Sequence, residues 1–338
     1  MAEHRPSNPN IYDVARRAGV SHQTVSRVLN SHASVRPATR ERVLDAMEQL
    51  GYVPNLAARA LVTARTGLIG ILASDMGLYG PAGGVNAMEL AAREAGYSAI
   101  TRTINPESEE EIRAGVQQLR LLGVEGIAVV TSHNRPAAVA REMLPSLPIV
   151  GIDADYSSEE LAVEVDNVEA AQRATQHLID LGHRGILHIT GPAGSFVAGQ
   201  RIVGYRQAMA AAGLPAHVVE GDWTIPTGHR IAADYDFAGS GITAIFAAND
   251  SLALGVYRAC RERRLVIPDD MSVVGFDDVP EAAYYDPPLT TMRQEFAQIG
   301  RTAMTLLLRR LAGEEGLRSE FVRLEFMVRE STAAPRPR

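Results

Sequence analysis

Three side chains near the start of a predicted helix can hydrogen-bond to the edges of DNA bases. A glutamine amide can form two hydrogen bonds with adenine, and an arginine guanidinium can do the same with guanine. The first residues of a helix that enters the major groove point at those edges. The candidates for base contacts are His22, Gln23 and Arg27.

Short polar side chains surround these candidates. Hydroxyl and amide groups suit contacts with phosphate oxygens, which fix the register of a protein on DNA without reading its sequence. For Thr24 and Ser26, the alternative interpretation is a solvated helix face. The candidates for phosphate contacts are Asn10, Ser21, Thr24, Ser26 and Asn30.

The apolar pattern predicts two short helices that position these side chains. Gly19 follows the first helix, where a chain that leaves a helix often needs a positive φ, and Ser21 can cap the second. These features predict a helix-turn-helix, and the alternative is an ordinary helical hairpin inside a globular core. The apolar stripes are Val14, Ala15 and Ala18 on the first helix and Val25, Val28 and Leu29 on the second.

A third helix is predicted over residues 35–50, with Pro37 in its first turn. Its predicted apolar face consists of Val43, Leu44, Met47 and Leu50, which cover the other two helices. The alanine-rich segment 55–62 is too short to be a stable helix alone in water. A segment that orders only when it docks would suit a hinge.

Charge is divided unevenly along the chain. The 338 residues carry a net charge of −7, but residues 1–65 hold nine Arg and five acidic residues, a net charge of +4, which leaves −11 for the rest. A small basic module on an acidic body is typical of a protein whose module alone binds nucleic acid. The sequence has no apolar signal core and no apolar run long enough to span a bilayer. We therefore expect a cytoplasmic protein with no membrane partner.

From residue 67 onward, strand patterns alternate with helix patterns. This alternation predicts parallel sheets with helices on both faces, and a body of about 270 residues predicts two lobes. Ligands of such sheets bind outside the carboxyl ends of the strands. The predicted strands are 67–73, 97–103, 126–130, 149–152, 185–190, 244–247 and 272–275, and predicted helices include 107–122, 168–181, 201–212 and 251–263.

The chain contains no motif typical of catalysis or of a cofactor site. It has no GxGxxG, P-loop, HExxH or GxSxG pattern, and no acidic, His or Cys group has metal-ligand spacing. We therefore expect no cofactor, no metal and no enzyme activity. The run Gly80-Pro-Ala-Gly-Gly84 could approach an anion at a helix N-terminus, although a simple turn is favoured.

The chain resembles the LacI/GalR family of bacterial transcription regulators over nearly its whole length, and most of all its lactose-repressor branch. Headpiece and body motifs in this order are highly specific. The headpiece motifs are Tyr12-Asp-Val-Ala, Ala18-Gly-Val-Ser, Thr24-Val-Ser-Arg-Val-Leu-Asn30 and Gly51-Tyr-Val-Pro-Asn55. The body motifs are Gly182-His-Arg, Ala248-Asn-Asp-Ser-Leu-Ala-Leu-Gly255, Ser272-Val-Val-Gly-Phe-Asp-Asp278 and Pro288-Leu-Thr-Thr-Met-Arg-Gln294.

The resemblance implies an N-terminal all-α helix-turn-helix headpiece and an α/β two-lobed, periplasmic-binding-protein-like effector domain with parallel sheets. We expect the headpiece at 1–54, a hinge helix and linker at 55–66, and the effector-binding and dimerisation domain at 67–338. The expected N-lobe is about 67–160 plus 293–322, and the C-lobe about 161–292 plus 323–338. The expected crossovers lie near 153–165, 285–295 and 320–328.

The resemblance also implies DNA contacts outside the second helix. Tyr12 is a further DNA-binding candidate because it lies in a headpiece motif. Leu61 matches the family's minor-groove wedge, an apolar side chain that unstacks a base step; the alternative is a buried contact between hinge and body. Ala58 lets the groove approach the hinge, and Asn55 can contact phosphate. His22 replaces a tyrosine of the lactose-repressor branch, so that branch's operator cannot be carried over unchanged.

An effector site in the cleft is the last implication of the resemblance. Sugars are recognised by an aromatic face that packs against their C–H groups and by planar polar side chains that form bidentate hydrogen bonds with adjacent hydroxyls. Trp223 could instead be a core anchor, and Arg201, expected to open a helix, could pair with a helix carboxylate. Asp250 and Asp278 are expected to support structure. The ligand-binding candidates are Leu78, Tyr79, Asp153, Arg201, Trp223, Asn249, Asp277, Gln294 and Phe296.

Together these features predict a homodimeric repressor of sugar-utilisation genes that a mono- or disaccharide releases from palindromic double-stranded operator DNA. The chain end lacks a leucine-heptad tail, which favours a dimer over a tetramer. Three alternatives stay open: a corepressor-dependent regulator that binds a purine or phosphosugar, a solute-binding protein without DNA function, and an α/β enzyme.

Overall fold

The computed structural model describes residues 9–29, 34–52, 65–152 and 161–336. Its contacts divide the chain into two compact units, residues 1–66 and residues 67–338. Within the described ranges, no helix has both the length and the apolar character needed to cross a bilayer. Five of the site predictions lie outside the described residues, namely Asn30, Asn55, Ala58, Leu61 and Asp153.

Three helices form the described part of the first unit: α1 (Ile11–Ala18), α2 (His22–Leu29) and α3 (Pro37–Leu50). A capping box begins α1, and Gly19 ends it in the left-handed region at φ 66°. Ser21 Oγ accepts a hydrogen bond from the backbone N–H of Thr24 at 3.2 Å, as expected of a cap at the start of α2.

The core of this unit lies where the three helices meet. Val14, Val25 and Val43 are fully buried, one from each helix. The prediction for the third helix is wrong at Leu44, which is 51% exposed. Ala46 is buried instead, because the face that α3 turns inward runs through positions 43, 46, 47 and 50.

The second unit alternates strands and helices. Its strands are β1 (Leu68–Ala73), β2 (Ser98–Thr103), β3 (Gly126–Val130), β4 (Ile149–Ile152), β5 (Leu161–Val165), β6 (Gly185–Ile189), β7 (His217–Val219), β8 (Ile242–Ala247), β9 (Ser272–Asp277), β10 (Thr290–Arg293), β11 (Glu320–Val322) and β12 (Glu325–Met327). Its helices are α4 (Tyr79–Glu94), α5 (Glu109–Leu121), α6 (Arg135–Met143), α7 (Asn167–Asp180), α8 (Phe196–Ala211), α9 (Ile225–Asp234), α10 (Asp250–Glu262) and α11 (Phe296–Leu311).

Two six-stranded sheets organise these elements. The first has the order β11-β5-β4-β3-β1-β2 and is parallel throughout. The second has the order β12-β10-β9-β8-β6-β7, and β12 alone is antiparallel to its neighbour. Central strands such as β3 are buried along their whole length, which requires helices on both faces. The predicted two-lobed α/β architecture with largely parallel sheets is confirmed.

Along the described strands and helices, the chain passes between the lobes three times, and one predicted boundary is wrong. Residues 161–165 were expected in the C-lobe, but they form β5, which pairs with β4 in the first sheet. The first described crossover therefore follows Val165. The later crossovers lie between β10 and α11 and between β11 and β12.

Two local predictions also differ from the structure. Arg201 does not open a helix, because α8 begins at Phe196 and its N-terminal cap is Ser195, whose side chain accepts from Ala198 N at 3.3 Å. The Gly80–Gly84 run is not a turn but the first turns of α4. A close approach explains a glycine elsewhere: a Cβ on Gly204 would lie 2.1 Å from the carbonyl oxygen of Val168, so α8 can pack tightly on α7.

Candidate functional site

A cavity lies between the two lobes at the carboxyl ends of β1, β3 and β4 in one sheet and of β8, β9 and β10 in the other. Its empty space, with the open mouth included, is about 830 Å³. Eight of the nine predicted ligand-binding residues line it: Leu78, Tyr79, Arg201, Trp223, Asn249, Asp277, Gln294 and Phe296.

Trp223 is both a cavity wall and a core residue. It is 8% exposed, packs in the hydrophobic core of the C-lobe and has a positive φ of 71°. Its backbone carbonyl accepts a hydrogen bond from Asn249 Nδ2 at 3.1 Å, while Asn249 Oδ1 caps α10 by accepting from Leu252 N at 2.8 Å. Asn249 therefore fixes the loop that carries the indole.

Arg201 is held rigidly in the cavity wall. Its Nε donates to Asn167 Oδ1 at 2.9 Å, and its Nη1 donates to the carbonyl of Ala248. The guanidinium carbon lies 3.6 Å from the centre of the Phe276 ring, a cation–π stack. Its ion pair with Asp277, at 3.9 Å between Nη2 and Oδ1, joins it to a strand end and not to a helix.

Asp277 and Gln294 form the polar floor of the cavity. Gln294 Nε2 donates to Asp277 Oδ1 at 2.7 Å. Burial raises the pKa of Asp277 to about 6, although the nearby Arg201 acts in the opposite direction. Gln294 Oε1 is buried and has no hydrogen-bond partner among the described residues.

Asp250 and Asp278 support structure, as expected. Asp250 is fully buried, and its two oxygens accept from Thr291 Oγ1 at 2.7 Å and from Val279 N at 2.9 Å. Burial and the neighbouring Asp277 raise its pKa well above the usual range. Asp278 pairs with Arg293 at 2.6 Å and with Arg329 at 2.7 Å.

The N-lobe wall contains predicted aromatic residues and polar residues that the sequence interpretation missed. The rings of Tyr79 and Phe296 meet edge to face at 5.7 Å. Asp75, Thr131 and Ser132 were not predicted, although each follows a predicted strand, and the strand-end rule could have found them. Ser132 also joins the lobes, because its carbonyl accepts a hydrogen bond from Phe196 N at 2.7 Å.

The first unit presents the predicted base-contacting residues on its surface. His22, Gln23 and Arg27 are exposed on α2, and the ring of Tyr12, which is 60% exposed, lies 5.2 Å from the ring of His22.

Three predicted phosphate contacts, Asn10, Ser21 and Thr24, form hydrogen bonds at helix starts. Asn10 Oδ1 caps α1 by accepting from Tyr12 N at 2.9 Å and from Asp13 N at 3.2 Å. Thr24 Oγ1 lies 3.0 Å from Ser21 Oγ, within hydrogen-bond distance. Ser26 is half-buried on α2. The Asn10 cap thus stabilises the start of α1, and the hydroxyl pair lies at the start of α2.

A helix-turn-helix unit and a two-lobed domain with an interlobe cavity define a ligand-responsive DNA-binding regulator. Residues 10–55 match the family model for bacterial regulatory proteins of the lacI family, and residues 175–332 match that for a periplasmic binding protein-like domain. The chain is 32% identical over 327 residues to the lactose operon repressor of Escherichia coli K12, across 96% of this chain and 91% of that protein. This chain belongs to the lacI family.

Solved structures agree with the assignment. The crystal structure of the lac repressor dimer bound to operator and an anti-inducer has a TM-score of 0.88 and 31% identity, and the match covers 97% of this chain and 100% of that one. A complex of the regulator CelR with cellobiose has a TM-score of 0.69 and 31% identity, with 96% and 99% of the two chains covered. The protein is thus a DNA-binding regulator with a sugar-binding type of effector domain, and its family is not one of enzymes.

Proposed function

We propose that this protein represses genes of sugar utilisation and leaves a palindromic operator when a mono- or disaccharide enters the interlobe cavity. The observation that carries the proposal is the composition of that cavity. It combines a buried indole, Trp223, with fixed planar polar groups on Arg201, Asp277 and Gln294. An aromatic face beside planar hydrogen-bonding groups suits the alternating C–H and hydroxyl surfaces of a sugar ring.

Sugar binding can be coupled to DNA through the lobes. Two features make the interlobe angle sensitive to what the cavity holds. One is the backbone hydrogen bond from Phe196 to Ser132, and the other is the lining of the cavity by side chains from both lobes. A ligand shifts an equilibrium only by its differential affinity for the two states. We expect the coupling to lower DNA affinity by about 1–3 kcal/mol, a typical allosteric free energy.

A phosphosugar effector is the less favoured alternative. A phosphate needs cationic or backbone donors, and Arg201 is the one arginine among the described residues that line the cavity. Its guanidinium already binds Asn167, Ala248 and Asp277. The cavity also contains the carboxylates of Asp75 and Asp277, which repel an anion.

The first experiment uses the only tryptophan of the chain, Trp223. The full-length protein is titrated with a panel of mono- and disaccharides while tryptophan fluorescence is followed, and each hit is measured by calorimetry on Trp223→Phe, which has no tryptophan signal. A saturable fluorescence change in the wild type, together with the loss of most of the calorimetric affinity in the variant, supports the sugar site. A flat response from folded protein across the panel contradicts it.

DNA recognition is proposed to depend on the exposed face of α2. Gln23 and Arg27 would contact base edges, with His22 and Tyr12 beside them. The hinge residues Asn55, Ala58 and Leu61 are proposed from the sequence and the family match, and the phosphate candidate Asn30 from its short polar side chain. The operator is first identified by selecting duplexes that bind the purified protein from a randomised library. Sugar added to that complex must release the DNA; a sugar that binds without changing DNA affinity contradicts repression by release.

The proposed partner for assembly is a second copy of this chain. Tyr284, on the 3₁₀ helix Pro280–Tyr284, is 87% exposed, and Ile225 at the start of α9 is 43% exposed. The backbone carbonyl of Ile225 approaches Gly255 of α10, and Tyr257 of α10 packs edge to face on Tyr285. Exposed aromatic and aliphatic side chains on neighbouring elements suit a protein interface, and a palindromic operator requires a two-fold dimer.

A further inference from the structure

A buried amide holds Arg201 from outside the cavity. Asn167 is the first residue of α7, it is fully buried, and it is not among the described residues that line the cavity. Its Oδ1 accepts a hydrogen bond from Arg201 Nε at 2.9 Å, and its Nδ2 donates to the carbonyl of Val165 at 3.3 Å. Because only the amide oxygen accepts and only the amide nitrogen donates, these two bonds fix one orientation of the side chain.

The backbone around this amide is itself held in place. Asp166 caps α7, and its side chain accepts a backbone N–H of the first turn at 2.9 Å. The helix that carries Arg201, α8, packs so closely on α7 that a Cβ on Gly204 would lie 2.1 Å from the carbonyl oxygen of Val168. This close approach depends on a glycine, so the start of α7 and the helix that carries Arg201 keep a fixed separation.

The guanidinium of Arg201 is held back from the carboxylate beside it. Its Nη2 lies 3.9 Å from Asp277 Oδ1, whereas a direct charge-assisted hydrogen bond spans about 2.7–2.9 Å. The bonds to Asn167 and Ala248 and the stack on Phe276 keep it at that distance. If the Asn167 acceptor is removed, the buried Nε–H loses this partner at a cost in free energy, and we expect the guanidinium to turn toward Asp277.

We propose that Asn167 is a positioning residue that sets sugar specificity by fixing the guanidinium plane of Arg201 beside Asp277. A planar guanidinium distinguishes hydroxyl configurations only while its plane is fixed, because bidentate hydrogen bonds depend on angle as well as on distance. Asn167 contacts no sugar itself and acts through Arg201. This inference rests on the proposed function, since it concerns the same sugar site.

The test measures how well the site distinguishes sugars that differ at one carbon. Calorimetry on the full-length protein uses glucose and its epimers mannose, allose and galactose, and also cellobiose and lactose, which differ at one carbon of the non-reducing ring. Asn167→Leu keeps a branched side chain of similar size but removes the acceptor. We expect this variant to bind the tightest sugar about tenfold or more weakly, and to reduce the affinity differences between epimers to within about threefold.

Further variants separate positioning from structural support. Asn167→Asp restores an acceptor for Arg201 Nε and is expected to recover most of the epimer preference. In an Arg201→Gln background, Asn167→Leu is expected to weaken binding by less than about twofold, because the group that it positions is gone. The matched control is Thr175→Val, which removes a buried hydrogen bond of the same helix, from Thr175 Oγ1 to the carbonyl of Ala171 at 2.8 Å. This control must keep the affinity for every sugar even where urea unfolding shows a loss of stability.

The outcomes separate this inference from the proposed function. If folded Asn167→Leu keeps the epimer preference of the wild type, the positioning role is overturned and the proposed function stands. An equal loss for all epimers that Asn167→Asp does not relieve also overturns it, because Asn167 then serves folding alone. Asn167→Ser, whose side chain is too short for the bond to Arg201, replaces the leucine variant if that variant does not fold. If no sugar binds to folded wild-type protein, the sugar site itself is wrong, and this inference fails with it.

Discussion

The indole of Trp223 lies directly on the backbone of Gly191. A Cβ built on Gly191 would stand 2.1 Å from Cζ2 of that ring, closer than any real side chain can approach. Gly191 follows β6, so the loop after this strand and the loop before α9 meet at the face of the indole.

Gly191→Ala is therefore expected to displace the indole and weaken sugar binding about tenfold or more, because forced overpacking costs about 1–3 kcal/mol. Calorimetry measures the affinity, and the tryptophan emission spectrum reports the displacement. Gly199→Ala is the matched control, since a Cβ at that position in α8 meets nothing within 4 Å. An unchanged affinity in Gly191→Ala would show that the position of Trp223 does not matter for the ligand.

Sugar affinity is expected to fall as the pH drops below about 6. In the proposed complex, sugar hydroxyls would donate to the ionised carboxylate of Asp277. Burial raises the pKa of this carboxyl to about 6 in the folded protein, so protonation would remove a strong acceptor. Neutral sugars are used, and affinity is measured from pH 5 to about 8. Asp277→Asn should bind sugar weakly and without this pH dependence. If its sugar affinity still falls with pH as in the wild type, another group is responsible for the titration.

The raised pKa of Asp277 also predicts how the stability of the sugar-free protein depends on pH. The folded-state pKa of about 6 lies above the usual value of 3.8, so the folded state binds more protons than the unfolded state between these values. The free energy of unfolding must therefore fall as the pH rises from about 4 to 6, by up to about 3 kcal/mol from this group. Urea unfolding of the wild type and of Asp277→Asn should show this difference in slope.

Gln23→Ala is expected to relax base preference at one position of each half-site and to cost about 1–3 kcal/mol per bidentate contact. Binding to the selected operator and to its single-base variants measures the preference. The slope of affinity against salt concentration must stay unchanged, because an amide that reads a base displaces no counterion. A uniform loss across all operator variants would instead indicate a positioning contact.

Tyr284→Ser is expected to shift the protein from dimer to monomer and to abolish cooperative operator binding. The wild-type tyrosine is 87% exposed in the isolated chain, and burial of an aromatic ring is a large contribution to an interface. Sedimentation velocity gives the assembly state. Val266→Ser, which alters a residue 51% exposed on another part of the C-lobe, should remain dimeric.

Sequence patterns predicted the central strands because continuous burial makes them continuously apolar, as in β3 and β4. Three of the four edge strands were missed for the opposite reason: β7, β11 and β12 have three residues each and partial burial, so their composition resembles a loop. The fourth edge strand, β2, was predicted, and the short inner strands β5 and β10 were also missed. The phase of α3 was also misjudged, because alanine at position 46 gives a weak apolar signal beside Leu44.

The candidate site was predictable where a residue type stands out at a strand end. Trp223, Asn249 and Asp277 all line the cavity. Capping roles were harder to predict, since the same amide that caps α1 in Asn10 would also suit a phosphate. Asp75 and Ser132 also follow strands, but they were not predicted. The sequence does not show how the second lobe faces the first, and this arrangement decides which polar residues at strand ends reach the cavity.

The three passages between the lobes have a consequence for synthesis on the ribosome. The N-lobe begins with β1 near residue 68, yet α11, which packs on α4, and the edge strand β11 come from residues 296–322. A nascent chain therefore emerges with the N-lobe apolar face of α4 uncovered until most of the C-lobe has left the exit tunnel. Premature termination after residue 292 would leave that face exposed, and the truncated product would be a target for chaperones and proteases.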